Sequence, residues 1–271
     1  MPAVSLSGLR TSSKYEGDSP RSLTRKWSRR AAEKRDARLI CNVRQSAQAY
    51  GLTADQGFLV VPGVLVEAET EALRTWVESI PRGRAGARHV LSHPAVRKVA
   101  EDRRLVEVAA RFLGAPALAF KATLFDKSPA ANWLVTWHQD LALPVRARVE
   151  VPGWGPWTDK GGHLHALAPA EALAHVVALR VHLDPCTHEN GPLRVLPDTH
   201  RWGRLSAARI AELAREVIPV ECVAPAGAVV AMRPLLLHAS SKSTSELPRR
   251  VLHLEYATGV VLGPGIELAV A

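Results

Sequence analysis

Residues 132–140 read "NWLVTWHQD". The stretch has the composition and alternation of a strand. Successive side chains of a strand point to opposite faces. His138 and Asp140 therefore project to one side, and Gln139 to the other side or toward the rim. An imidazole and a carboxylate at adjacent same-face positions can chelate one metal ion, and a second histidine from a distant strand would complete the set. Alone, His-x-Asp is a weak signal in a chain of 11 histidines. His163-Leu164-His165 is another such pair, in a segment that reads as a loop.

The rest of the chain sets the frame. Its 271 residues suit one large domain, or one domain with an appendage. A hydrophobic fraction of 47% supports a sizeable core. No apolar run approaches the roughly 18 residues of a membrane span, and no apolar stretch follows the basic N-terminal residues as in a secretory signal. Cys41, Cys186 and Cys222 share no metal-ligand spacing and fit a reducing cytosol, so a cytoplasmic location is expected. The net charge of +9 is unevenly spread. Residues 1–50 hold 11 Lys/Arg against 4 Asp/Glu, and residues 51–271 hold 24 against 22. Residues 1–50 thus read as a basic, flexible extension and 51–271 as the folded domain. The near-neutral body speaks against a nucleic-acid partner.

Helical spacing covers 66–79 (Val66, Leu73, Trp76, Val77) and 94–113, the second bounded by Pro94 at its start and by Gly114 and Pro116 at its end. From residue 117 onward the pattern turns to strands: "ALAFKATLF", "NWLVTWHQD", "AHVVALRVHLD", "PLRVLP", "VIPVECVA", "GAVVAM" and "RRVLHLEYA". With "FLVV" near residue 60 there are about eight. Residues 144–171 form a Pro/Gly-rich insert carrying Trp154 and Trp157. Helices first and strands after imply an α+β chain, with N-terminal helices flanking a double-stranded β-helix, or jelly roll.

The second histidine is His238. It follows "GAVVAMRPLLL", read as a strand and a short turn, and precedes a Ser-rich loop. Arg249 stands eleven residues on, at the start of the last long strand, so the two are expected on neighbouring strands. Two His and one carboxylate on one face of an octahedral ion, with three open positions, is the non-haem Fe(II) oxygenase arrangement. An Arg nearby can pair bidentately with a dicarboxylate cosubstrate.

Taken in order, these residues resemble the phytanoyl-CoA dioxygenase family of Fe(II)/2-oxoglutarate oxygenases. "QGFLVVPGVL" is similar to the family's opening, and "LFDKSPAANWLVTWHQD" to its Lys-Pro stretch leading into Trp-His-x-Asp. "HLDPCTHENGPLRVLPDTH" is similar to its Glu-Asn-Gly turn and Pro-Gly-Ser-His segment, with Asp198 where Gly is usual. The resemblance spans about residues 52–258 and implies a cupin-like core. It implies that His138, Asp140 and His238 bind Fe(II), and that Arg249, assisted by Ser240, holds the far carboxylate of 2-oxoglutarate. Lys127 and Gln139 would line the cosubstrate pocket, and Trp154 or Trp157 would sit over it. His200 and Asn190-Gly191 are expected to be structural. The implied activity is hydroxylation of an unactivated C–H of a small molecule, secondary-metabolite or lipid-like, consuming O2 and releasing succinate and CO2. The carboxylate of Asp140 favours hydroxylation over halide transfer. The alternative is a non-catalytic barrel that binds or senses a metabolite and keeps a relic metal site. The insert is expected to shape the substrate pocket.

Overall fold

The computed structural model describes residues 54–270 apart from Arg82 and Arg84. The expectation for residues 1–50, and Cys41 with it, lies outside the described residues. In chain order the strands are β1 (Phe58–Val61), β2 (Gly86–Arg88), β3 (Leu118–Lys127), β4 (Val135–His138), β5 (Ala142–Pro144), β6 (Trp157–Asp159), β7 (Leu164–Leu167) and β8 (Val176–His182). They continue as β9 (Leu193–Val195), β10 (Val220–Cys222), β11 (Val229–Met232), β12 (His238–Ser240), β13 (Arg249–Ala257), β14 (Val261–Gly263) and β15 (Ile266–Glu267). About eight strands were expected. The excess comes from the insert and the C-terminal hairpin, where short pairings break up what reads as loop, and from the short strands β2 and β12.

A six-stranded sheet runs β1-β11-β8-β13-β3-β2, and a four-stranded sheet runs β10-β9-β12-β4. Every pairing in both is antiparallel. The fold is mixed α and β around a cupin-like jelly roll. The insert is more ordered than its composition suggests: β5-β7-β6 make a small sheet, and His165 lies on β7 rather than in a loop.

The large sheet is buried on both faces, because alternate residues serve two purposes. Leu124 of β3, Leu179 of β8 and Leu252 and Leu254 of β13 pack against Leu73, Trp76, Leu105 and Val108 of the N-terminal helices. The intervening residues, among them Lys127, Arg180, Arg249 and His253, face the four-stranded sheet and line a cavity. Apolar residues on the helix side stabilise the fold by about 1.5–3 kcal/mol per buried leucine. That stable face holds the polar face in register.

The helix expected over 94–113 is two helices, Pro94–Ala100 and Arg103–Leu113. Asp102 divides them. Its carboxylate accepts from the Arg104 backbone N–H at 2.9 Å, capping the second helix, and binds the Arg104 guanidinium at 2.8 Å. The end is as expected: Gly114 takes φ 72° and its N–H bonds Ala110 O. Asp198 sits at φ 65°. Aspartate is among the residues that tolerate this region, and its carboxylate accepts from Arg201 Nε at 3.2 Å. Among the described residues no helix is long and apolar enough to cross a membrane.

Candidate active site

The four-stranded sheet carries the metal-competent cluster. His138 ends β4 and His238 opens β12, and the two are direct partners across the ladder. Asp140 follows β4, where its N–H bonds Pro234 O at 2.9 Å. His238 Nε2 lies 3.5 Å from Asp140 Oδ2, and His138 Nε2 lies 3.6 Å from Asp140 Oδ1. Ligand atoms of the three fall within 4.8 Å of one another. Each imidazole is oriented by its own backbone: His138 Nδ1 bonds Thr136 O at 2.8 Å, and His238 Nδ1 bonds Leu236 O at 2.9 Å. A carbonyl accepts only from N–H, so both rings carry a proton on Nδ1 and turn Nε2 to the carboxylate, leaving that nitrogen for a metal. That is the tautomer a metal needs.

The electrostatics agree. Burial pushes the His238 pKa down to about 4, so it is neutral at physiological pH. Burial opposes protonation of His138 too, but the Asp140 carboxylate outweighs it and raises that pKa. Burial would raise the Asp140 pKa, yet His238 and His138 hold it well below the usual carboxylate range. The cluster is an ionised acid between two imidazoles whose Nε2 atoms converge, which fits a divalent ion.

Across the cavity, Arg249 opens β13 opposite Lys127 at the end of β3. The expectation that His238 and Arg249 occupy neighbouring strands is corrected here. β12 belongs to the small sheet and β13 to the large one, so residues 241–248 cross between sheets and both side chains line the same cavity. Ser240 joins the sheets. Its Oγ accepts from Lys127 Nζ at 2.9 Å and from an Arg249 Nη at 3.4 Å, and donates to Gly191 O at 2.8 Å. Arg249 Nε donates to Asn190 O at 3.0 Å. Its Nη1 is buried without a partner, so the guanidinium is held by one edge with a donor left for a ligand. Burial, with Arg249 and Arg180 nearby, pushes the Lys127 pKa down to about 8. The Asn190-Gly191 turn is structural, as expected. The Asn190 side chain bonds Pro185 O at 2.8 Å and the Thr187 N–H at 2.9 Å. Gly191 has φ 69°, and a Cβ there would lie 2.4 Å from Ser241 O.

One cavity of about 460 Å³ joins the triad to Arg249, within the roughly 300–1,000 Å³ of small-molecule sites. Gln139 borders it, but its side chain is occupied elsewhere. The amide donates to Gly203 O at 2.8 Å and Leu235 O at 2.7 Å, and accepts from the Leu205 N–H at 2.9 Å. It braces the strand that carries the ligands, because it points to the face opposite theirs. Neither Trp154 nor Trp157 lines the cavity; both pack among apolar residues of the insert. The tryptophan at the wall is Trp133, beneath Lys127 Nζ at 5.3 Å from the ring centre. The insert reaches the cavity through Lys160 and Leu167. His200 is outside the metal cluster and abuts Gly57. The sequence reading missed Arg180, whose signal was a lone charge inside the apolar run "VVALRV".

A family model described as phytanoyl-CoA dioxygenase (PhyH) matches residues 54–251, a span containing the triad, Ser240 and Arg249. The chain belongs to the phytanoyl-CoA dioxygenase family. This makes it an oxygenase-type enzyme. Among curated relatives in or near the family, L-proline trans-4-hydroxylase of Streptomyces griseoviridis is 28% identical over 243 residues, covering 74% of this chain and 82% of that protein. Methylphosphonate hydroxylase of Gimesia maris is 25% identical over 225 residues, covering 74% and 76%. Among solved structures, HygX from Streptomyces hygroscopicus, with nickel and 2-oxoglutarate bound, superposes with a TM-score of 0.56 at 17% identity, over 79% of this chain and 86% of that one.

Proposed function

We propose that this chain is a non-haem Fe(II)- and 2-oxoglutarate-dependent hydroxylase of a small molecule that carries an acidic group. The observation that carries the reading is a single cavity with a His-Asp-His cluster on one wall and a buried, partly unpaired guanidinium on the other. That layout suits a cosubstrate that chelates a metal at one end and ends in a carboxylate at the other. L-proline and methylphosphonate, named for the two relatives, are both small acids. HygX supports the same cofactors, holding nickel and 2-oxoglutarate on the same fold.

Bound iron with 2-oxoglutarate and O2 would supply the oxidising power that converts C–H to C–OH, with succinate and CO2 as by-products. The protein's part is positioning. His138, Asp140 and His238 would hold the ion at the cavity wall. Arg249 takes the far carboxylate, Ser240 fixes the direction of its fork, and Lys127 adds a second cation. Trp133, Phe125 and Leu193 supply apolar surface to the cavity wall.

The test is anaerobic addition of Fe(II) and 2-oxoglutarate to the metal-free full chain, watching for the weak visible band of the chelate. Admission of O2 is then followed by succinate formation. The band is expected with wild type and lost with His138→Ala. A folded wild type that gives neither band nor succinate instead supports the metabolite-binding barrel with a relic site.

A further inference from the structure

Arg180 has no part in that scheme, yet it is the least explained charge in the cavity. It lies in β8, all seven residues of which are buried. Its ladder partners are His253 on β13 and Val230 on β11. A guanidinium placed there must find a counter-charge or a ligand, since burying an unpaired charge costs several kcal/mol. Arg180 is only 8% exposed. Its Nε has no partner, and its Nη1 meets His253 Nδ1 at 3.3 Å. His253 is no counter-ion, because burial and the charge of Arg180 keep it neutral. The guanidinium otherwise lies over the Phe125 ring at 5.3 Å. Among the described residues no carboxylate pairs with it.

The acids of the cavity are already committed. Asp140 belongs to the metal cluster. Glu255 pairs with Lys121 Nζ at 2.6 Å. One far carboxylate at Arg249 and Lys127 leaves Arg180 unanswered. Burial and the neighbouring Arg249 lower its pKa to about 10, which still leaves it charged at neutral pH. Its partner His253 lies four residues along β13 from Arg249 and within electrostatic reach of Asp140 and His238. Arg180 therefore sits on the triad side of Arg249.

We propose that Arg180 is a second oxyanion-binding residue, holding a carboxylate or phosphonate between the metal cluster and Arg249. The inference rests on the proposed function for the identity of the first ligand. The same chemistry has two sources: the keto-acid carboxylate of 2-oxoglutarate, or the acidic group of the substrate. Either would give the planar fork a bidentate partner and leave β8 with a compensated charge.

The experiment uses metal-free full-length wild type, Arg180→Gln and Arg180→Lys, with folding checked by circular dichroism and melting. Calorimetry measures binding of three probes: 2-oxoglutarate; 4-oxopentanoate, which replaces the keto-acid carboxylate by a methyl group; and methylphosphonate, added alone and after saturation with 2-oxoglutarate. If the cosubstrate is the source, Arg180→Gln weakens 2-oxoglutarate about tenfold or more, the worth of a charged hydrogen-bonded pair, and leaves 4-oxopentanoate unchanged. If the substrate is the source, 2-oxoglutarate stays within about twofold and methylphosphonate binding is lost. Arg180→Lys, which keeps the charge and loses the fork, should fall between. Folded variants that match wild type on every probe overturn the inference. Should Arg180→Gln fail to fold, Arg180→Lys matching wild type overturns it equally. Arg180-dependent methylphosphonate binding in a protein that ignores 2-oxoglutarate would uphold this inference and sink the cosubstrate reading. The reverse pattern, with 2-oxoglutarate bound and no Arg180 dependence on any probe, would do the opposite.

Discussion

Lys127 should make both stability and cosubstrate binding depend on pH, in a direction the structure fixes. The residue is 2% exposed and shares the cavity with Arg249 and Arg180, and its pKa is pushed down to about 8. An unfolded lysine titrates near 10.4. Below about pH 8 both states are charged and the fold bears the full penalty, on the order of 3 kcal/mol. Between about 8 and 10.4 the unfolded chain binds more protons than the native one, so stability contributed by this group rises with pH. Lys127→Met should remove that rise and stabilise the metal-free protein at pH 7, provided the methionine fills the same space. A dicarboxylate between Lys127 and Arg249 would reverse the cause of the shift and restore the proton. At pH 8.5 the free site is about one-quarter protonated and the bound site nearly fully so, an uptake of about 0.7 proton per 2-oxoglutarate. Calorimetric titration in two buffers of different ionisation enthalpy reads this directly. No uptake by wild type, or equal uptake by a folded Lys127→Met, would refute the reasoning.

Three further outcomes are expected. Asp140→Ala should weaken anaerobic Fe(II) binding by more than the roughly 10- to 100-fold typical of residues that merely support a ligand, with melting little changed; retained affinity would remove Asp140 from the site. Gln139→Leu strands two buried carbonyls and one N–H, and should lower stability by about 2–4 kcal/mol in denaturant titrations; an unchanged midpoint would show that the amide is no brace. Gly191→Ala combines a left-handed φ with a Cβ 2.4 Å from Ser241 O, so it should cost at least about 1–2 kcal/mol and weaken 2-oxoglutarate by displacing the Asn190 carbonyl that holds Arg249; wild-type affinity would break that link.

The jelly roll and the metal cluster were legible because both depend on spacing. His138 ends β4 and Asp140 stands two residues past it, and the extended alternation of the stretch brings their ligand atoms together. His238 became legible only through order along the chain, since nothing local to "LLLHASS" distinguishes a ligand from a core histidine. Which sheet His238 and Arg249 occupy was not legible. A polar loop between two strands reads the same whether it makes a hairpin or crosses between sheets. The tryptophans misled for a related reason: an aromatic in a Gly/Pro-rich insert shows no period, so its facing cannot be deduced. Gln139 was placed on the correct face by alternation, but its use as a brace depends on Gly203, Leu205 and Leu235, which are remote in sequence. Arg180 could have been found by asking why an otherwise apolar central strand tolerates a guanidinium.

The division of the cavity between two sheets has a consequence for motion. The His-Asp-His cluster hangs from the small sheet and Lys127 and Arg249 from the large one, and Ser240 is the side chain that touches both cations across the gap. A ligand held at both ends would act as a staple through the barrel, resisting the outward breathing by which the sheets part. At a hundredfold excess over its dissociation constant it would add about 2.7 kcal/mol to the closed form. Amide exchange should slow first in β12 and β13, and in the residue 241–248 crossing between them.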